Sequence, residues 1–245
     1  MVVIVGGTGA MGAVITKRLA GAGFSVLAVG RSSDSLKALA AQTPGVRTVT
    51  ADIASDSAVE KIRAAVDAPV RMVIQGAGVA TAGGVLTVPT DALVDAVNIK
   101  VGGMLRLVRA VDGRLIRGSR LVAIGGHYGS EPSAYAATAG VANAALANLI
   151  RQLSWAYGVR GVTAHLVAPG PADTARLRRV AADRGARTGT DAETVLEEMR
   201  AESAIGAFTT VEQIAWAMQM LLAPEADALA GGTLFMDAGR RKGLP

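Results

Sequence analysis

The sequence predicts an α/β fold, a doubly wound parallel sheet of about seven strands with helices on both faces. Two observations carry that expectation. Short apolar runs alternate with longer helical patterns along the whole chain, and a glycine-rich turn joins the first run to the first helix. The length agrees: 245 residues without a cysteine suit one domain that buries its apolar surface without disulfides.

Taken in order, Val2–Val5 is a strand-length run of β-branched residues and Gly12–Ala22 reads as helix. Phe24–Val29 is the second strand, Ser33–Ala41 the second helix and Val46–Thr50 the third strand. A Ser57…Glu60 capping-box pattern opens a helix over Ser57–Val66. Val70–Gln75 follows as strand, Asp91–Val111 as one long helix, and Arg120–Ile124 as strand five. Ser133–Tyr157 is a second long helix and Val162–Val167 strand six, and the pattern closes with helix Val211–Leu222 and strand Thr233–Met236. Such alternation requires right-handed crossovers between parallel strands, which puts a ligand at the strands' carboxyl ends. No repeat, low-complexity tract or linker divides the chain, so residues 1–245 read as a single domain.

Composition excludes several functions. Lys and Arg number 25 against 20 acids, a formal charge of +5, but three Phe, three Tyr and two Trp leave little to stack on bases. No nucleic-acid partner is expected. Met72–Thr90 and Ser133–Ile150 carry no charge, yet glycines and a proline break the first, and Asn143 and Asn148 suit the second to a protein interior. No membrane span is expected, and Met1 runs into Gly6-Gly7 without a basic leading region, so the expectation is a soluble cytoplasmic protein. Without cysteine and with two histidines, neither a thiol nucleophile nor a metal cluster is expected.

Asp173–Gly206, between strand six and the last helix, is basic in its first half and acidic in its second, with a Thr190…Glu193 capping pattern between. It reads as a solvated helical insertion whose charges neutralise each other. The sharper alternative is a lid, at about residues 173–206, whose arginines meet an anionic substrate group.

Gly6-Gly7-Thr8-Gly9-Ala10-Met11-Gly12 follows the first strand and opens the first helix. In that context a glycine turn lets backbone approach a pyrophosphate, whose charge sits on the helix N-terminus. Strand two ends in Val29-Gly30-Arg31-Ser32, where an acidic residue would accept the ribose hydroxyls of NAD. Gly30 removes that carboxylate and Arg31 can pair with a 2′-phosphate, with Lys17 on the first helix as a second candidate cation. NADP(H) is therefore expected rather than NAD(H).

These features, with others along the chain, resemble the short-chain dehydrogenase/reductase family, which has a Rossmann fold. Asp52-Ile53 is similar to its adenine-contacting Asp after strand three, Gln75-Gly76-Ala77-Gly78 to its N-N-A-G turn, and Asn98 to its helix-four Asn. Pro169-Gly170-Pro171-Ala172-Asp173-Thr174 resembles the P-G-P-x-x-T segment that holds the nicotinamide, and Gly231–Gly239 the closing strand and turn. The glycine loop is one residue tighter than the usual T-G-x-x-x-G-x-G form and is similar to T-G-x-x-G-x-x-G. The resemblance implies cofactor contacts from Gly6, Gly7, Thr8, Gly9, Met11, Gly12, Arg31, Ser32, Asp52, Ile53, Gly76, Ala77, Gly78, Pro169, Gly170, Ala172 and Thr174.

The family's Ser-Tyr-Lys set is incomplete. In such proteins Tyr exchanges the proton, Lys binds the nicotinamide ribose, Ser polarises the carbonyl and Asn supports a water relay. Tyr135 and Asn98 are the matching candidates, but Tyr135-Ala136-Ala137-Thr138-Ala139 lacks the lysine, and none occurs between Lys100 and Lys242. Matching Ala139-Gly140-Val141 to the family's A-G-V would instead put Ala134 at the Tyr position. The Ser position falls on Gly125 or Gly126. A phenol far from any cation is ionised to about one part in a thousand at pH 7, so reduction survives the loss better than oxidation. His127 and Tyr128 are substitute proton donors, although a solvent-facing loop histidine is the plainer reading of His127. His165 reads as a core residue, Trp155 and Trp216 as packing, and Asn98 and Lys100 as residues that cannot share a helix face.

The expectation is an NADP(H)-dependent carbonyl reductase with a degenerate site, acting on a small molecule. A catalytically inactive nucleotide-binding protein and a redox-neutral cyclase, isomerase or dehydratase are the alternatives. The alanines around the early turns of Ser133–Tyr157 suggest a homodimer or homotetramer.

Overall fold

The computed structural model describes residues 1–79 and 83–243. Seven parallel strands form one sheet: β1 (Val2–Val5), β2 (Val26–Gly30), β3 (Arg47–Thr50), β4 (Val70–Gln75), β5 (Leu115–Ile124), β6 (Thr163–Pro169) and β7 (Thr233–Met236). Their order is β3-β2-β1-β4-β5-β6-β7. The order reverses between β1 and β4, where Val5 lies opposite both Val29 and Gln75. That reversal opens the crevice in which such sheets bind ligands.

Alternation on the strands decides which face each residue feeds. Val3, Val5, Leu27 and Val29 point to one side, where they meet Ile62 of α3 (Ser57–Ala65), Leu107 of α5 (Gly103–Val111) and Leu146 of α6 (Ala137–Gly158). Val2, Ile4, Val26 and Ala28 point to the other, against Ile15 of α1 (Ala10–Gly21), Leu36 of α2 (Ser33–Gln42) and Ile214 of α9 (Val211–Met220). Every residue of β1 is buried. Each fully buried aliphatic side chain contributes roughly 1.5–3 kcal/mol, so the two-sided core dominates stability.

Four local expectations change. The long helix over 91–111 is two helices, α4 (Thr90–Val97) and α5, joined by a π-helical turn at Asn98–Gly102. The helix expected from Ser133 starts at Ala137, so Tyr135 precedes it. Ser57 and Glu60 form no capping box: Asp56 is the cap residue, without a side-chain bond, and Glu60 pairs with Arg63. The cap between the basic and acidic halves is Asp191, not Thr190, and accepts from the Glu193 and Thr194 amides.

The charged segment forms a helical hairpin, α7 (Ala175–Thr188) and α8 (Ala192–Ala201), around Leu177, Ala181, Val195, Leu196 and Met199. Arg184 pairs with Glu198 and Arg200 with Glu193, so the two halves do offset each other.

Candidate cofactor and active site

The turn after β1 is tightly built. Gly6 has φ +77°, and its amide donates to the Val29 carbonyl at 2.9 Å, while the Gly9 amide donates to the Gly6 carbonyl at 3.0 Å. A Cβ on Gly12 would stand 2.1 Å from the Gly6 oxygen, so the first turn of α1 rests directly on the loop. Gly9 caps α1 in extended conformation without a side-chain bond, and the first turn holds no acidic residue. The leading amides are thus free for an anion, with Thr8 and Met11 flanking them.

At the end of β2 Arg31 is exposed and makes no hydrogen bond or ion pair with any described residue. The Ser32 hydroxyl accepts from the Ser35 amide at 3.2 Å and caps α2. Lys17 does not join Arg31. Its Nζ donates to Gln42 Oε1 at 3.1 Å, at the last residue of α2, about 15 Å along a ten-residue helix. Asp52 accepts from the Ala54 amide at 3.1 Å and stays exposed, whereas Ile53 is buried.

Asn98 faces this same side. Its Nδ2 donates to the Ala54 carbonyl at 3.0 Å and its Oδ1 accepts from Arg106 at 2.9 Å, while Arg106 pairs with Asp56 at 2.6 Å. No hydrogen bond joins Asn98 to Tyr135. Two residues on, Lys100 leaves the π turn in another direction, as the spacing required. Its Nζ donates to the Ile124 carbonyl at 2.7 Å, just before Gly125-Gly126. Burial, and then the positive charge of Arg176, push this buried ammonium down to about 8. Arg176 itself donates to the Val79 carbonyl at 2.7 Å, at the end of the Gly76–Gly78 turn. Sequence reasoning named Lys100 but gave it no role. The available signal was its isolation, since it is the only lysine between Lys61 and Lys242.

The Tyr135 side chain is 57% exposed, and its hydroxyl lies 2.5 Å from that of Tyr128. Burial, and then the bond to Tyr135, raise the Tyr128 phenol. Thr138, the Lys position when the A-G-V residues are matched, is buried in the first turn of α6. A Cβ on Gly126 would meet Asn143 Nδ2 at 2.9 Å, so the Asn143 amide fills the space of a serine side chain there. Asn143 Oδ1 is buried without a hydrogen-bond partner. His127 is buried rather than solvent-facing, because its ring turns inward and bonds the Pro169 carbonyl. Burial, and then Arg240, lower its pKa despite that bond. Beside it a cavity of about 230 Å³ is lined by Tyr128, Glu131, Tyr135, Arg240 and Lys242.

Pro169 closes β6, and the Gly170 amide donates to Met236 at 2.9 Å, with a Cβ there 2.9 Å from Asp237. Ala172 is buried, and Thr174 caps α7 by accepting from the Leu177 amide. His165 is a core residue, bonded to Thr163 at 2.7 Å, and burial followed by Arg120 lowers it to about 4. Trp155 and Trp216 are not packed. They are 85% and 53% exposed, because each stands on the outer side of its helix. Among the described residues no His/Asp/Glu group could hold a metal, and no helix is long and apolar enough to cross a membrane.

A glycine turn at a helix N-terminus, a free guanidinium beside the next strand and glycine-rich backbone at three further strand ends define a nucleotide-binding α/β protein. A family model described as enoyl-(acyl carrier protein) reductase matches residues 7–241. The short-chain reductase protein NovJ of Streptomyces niveus is 29% identical, over 94% of this chain and 89% of its own length. The 3-oxoacyl-[acyl-carrier-protein] reductase FabG of Escherichia coli (strain K12) is 27% identical, over 96% and 95%. The crystal structure of BdcA in complex with NADPH superposes with a TM-score of 0.83 at 26% identity, covering 100% of this chain and 95% of that one. The chain belongs to the short-chain dehydrogenase/reductase family.

Proposed function

We propose that this protein is an NADP(H)-dependent oxidoreductase of the carbonyl-reductase type, acting on a small molecule with an altered proton relay. The observation that carries the reading is the pairing of uncapped amides at the front of α1 with an unengaged Arg31 at the end of β2. Both suit phosphates: one a pyrophosphate, the other a 2′-phosphate. No carboxylate stands at Gly30 to repel the latter. The residues present fit a dinucleotide, since Gly6 and Gly12 let the turn pack against the Gly76 backbone and the first turn of α1 against Gly6, with the leading amides of α1 left uncapped. NADPH-bound BdcA adds weight to the same cofactor.

When bound, the cofactor would supply a hydride. The chain's own share is to hold the phosphates at Gly6–Gly12, to seat adenine beside Asp52 and to place the nicotinamide over Gly76–Gly78, Gly126 and Pro169-Gly170. The Tyr135 hydroxyl, in line with Tyr128, is the proton donor. Asn98 braces the turn after β3 rather than the proton path. The outer faces of α4 and α6, with exposed Val94 and Val141, suit a homodimer or homotetramer.

A nucleotide-binding protein without turnover is the second reading, favoured by Gly125 or Gly126 at the serine position and by Ala139, or Thr138 in the shifted match, at the lysine position. Calorimetric titration with NADPH and NADH tests the cofactor assignment. Wild type should prefer NADPH, and Arg31→Ala should weaken NADPH about tenfold or more while sparing NADH. Equal loss for both would reject the 2′-phosphate site.

A further inference from the structure

We infer that Lys100, reaching in from the π turn between α4 and α5, is a cofactor-binding residue that grips the ribose hydroxyls of the nicotinamide half of the dinucleotide. This rests on the proposed dinucleotide site. The path of such a ligand follows from the fold. Its phosphorylated adenosine lies at Arg31 on β2 and its pyrophosphate at the β1 turn. The remaining half must cross the reversal between β1 and β4 and end over β4, β5 and β6. Lys100 Nζ stands at the carboxyl end of β5, on the Ile124 carbonyl.

Three features single it out. An ammonium has three donors, and only one of these is used among the described residues. Buried charges are ordinarily paired, yet among the described residues Lys100 meets no carboxylate, and the one charge that acts on it is a second cation, Arg176 of α7. Among the described residues, the elements packed on the π turn bring it no counter-charge: Asp91 and Asp95 of α4 are both exposed to solvent, and neither acts on Lys100. Arg106 of α5 turns away to Asp56, and α6 faces inward with Thr138 and Asn143. A buried, uncompensated, under-bonded ammonium at the ligand crevice is a site for oxygen acceptors that a ligand brings. π-Helical turns recur at functional positions for a mechanical reason: they redirect one side chain out of the helical register.

The test compares NADPH with adenosine 2′,5′-bisphosphate, which lacks the nicotinamide half, on wild type, Lys100→Met and Lys100→Arg. Lys100→Met should weaken NADPH about tenfold or more and leave the bisphosphate unchanged, with partial recovery in Lys100→Arg. Between pH 7 and 9.5, NADPH affinity of wild type should fall as the ammonium, held near 8, loses its proton, and the Met variant should be flat. No cysteine titrates in that window. Unchanged NADPH affinity in Lys100→Met overturns the inference. So does equal weakening of both ligands, which marks a structural lysine, with thermal unfolding showing whether the fold survives. Wild type that binds neither ligand rejects the cofactor assignment itself.

Discussion

At the scale of single residues, the proposed site combines a glycine turn after β1, an unengaged Arg31 and the paired hydroxyls of Tyr128 and Tyr135. The glycine turn and Arg31 were legible because each depends on local chemistry: absent Cβ atoms and one unpaired guanidinium. Tyr135 was legible as a residue but not as a geometry. Its partner, Tyr128, meets it only because the loop before α6 folds back, which no spacing rule encodes. Lys100 and Asn143 were illegible for the same reason, since both act on β5 from other elements. If Tyr135 donates the proton, Tyr135→Phe should lower NADPH-dependent reduction across a panel of ketones by about a hundredfold or more, with NADPH affinity unchanged. Wild-type NADPH binding without any reduction would favour the inactive reading.

Elements carry the site on their ends. Strands and helices were legible almost everywhere, because two-fold alternation on β1 and β2 and the apolar stripes of the helices are strong signals. The misread stretches are those where tertiary contacts set the boundary. β5 begins at Leu115, five residues before the apolar run, and its pairing with β4 shifts register between Val70 and Met72. α9 shows what a cap contributes. Thr210 accepts from the Gln213 amide while the Gln213 side chain accepts from the Thr210 amide, fixing the start of a helix that packs on α1. Thr210→Ala should cost about 1 kcal/mol in chemical denaturation, with an unchanged dependence on denaturant. A smaller effect than a few tenths would show that the packing of Ile214 and Met218 alone holds α9.

For the whole molecule, pH dependence of stability follows from histidine burial. His165 is held near 4 when folded, below its ordinary 6.5. Between those values the unfolded chain binds the proton and the folded one does not, so stability falls as pH drops. From pH 7 to pH 5 the loss from this group is about 2 kcal/mol. His127, lowered in the same direction, adds to it. The midpoint of thermal unfolding should therefore fall on acidification, and less steeply in His165→Gln. An identical slope would place the sensitivity elsewhere. The fold as a whole was legible because seven strands with two-sided burial admit few arrangements. The order in which β1 meets β4 follows from chirality more than from any motif.

Trp155, standing bare on the outer side of α6, turns the protein into its own optical gauge. An indole in water emits at long wavelength, and one covered by a neighbouring subunit emits further to the blue. Were α6 a subunit contact, as proposed, serial dilution in a fluorimeter would follow its dissociation without an attached dye. Trp216, on the opposite layer of the sheet, supplies the reference signal, read alone in Trp155→Phe.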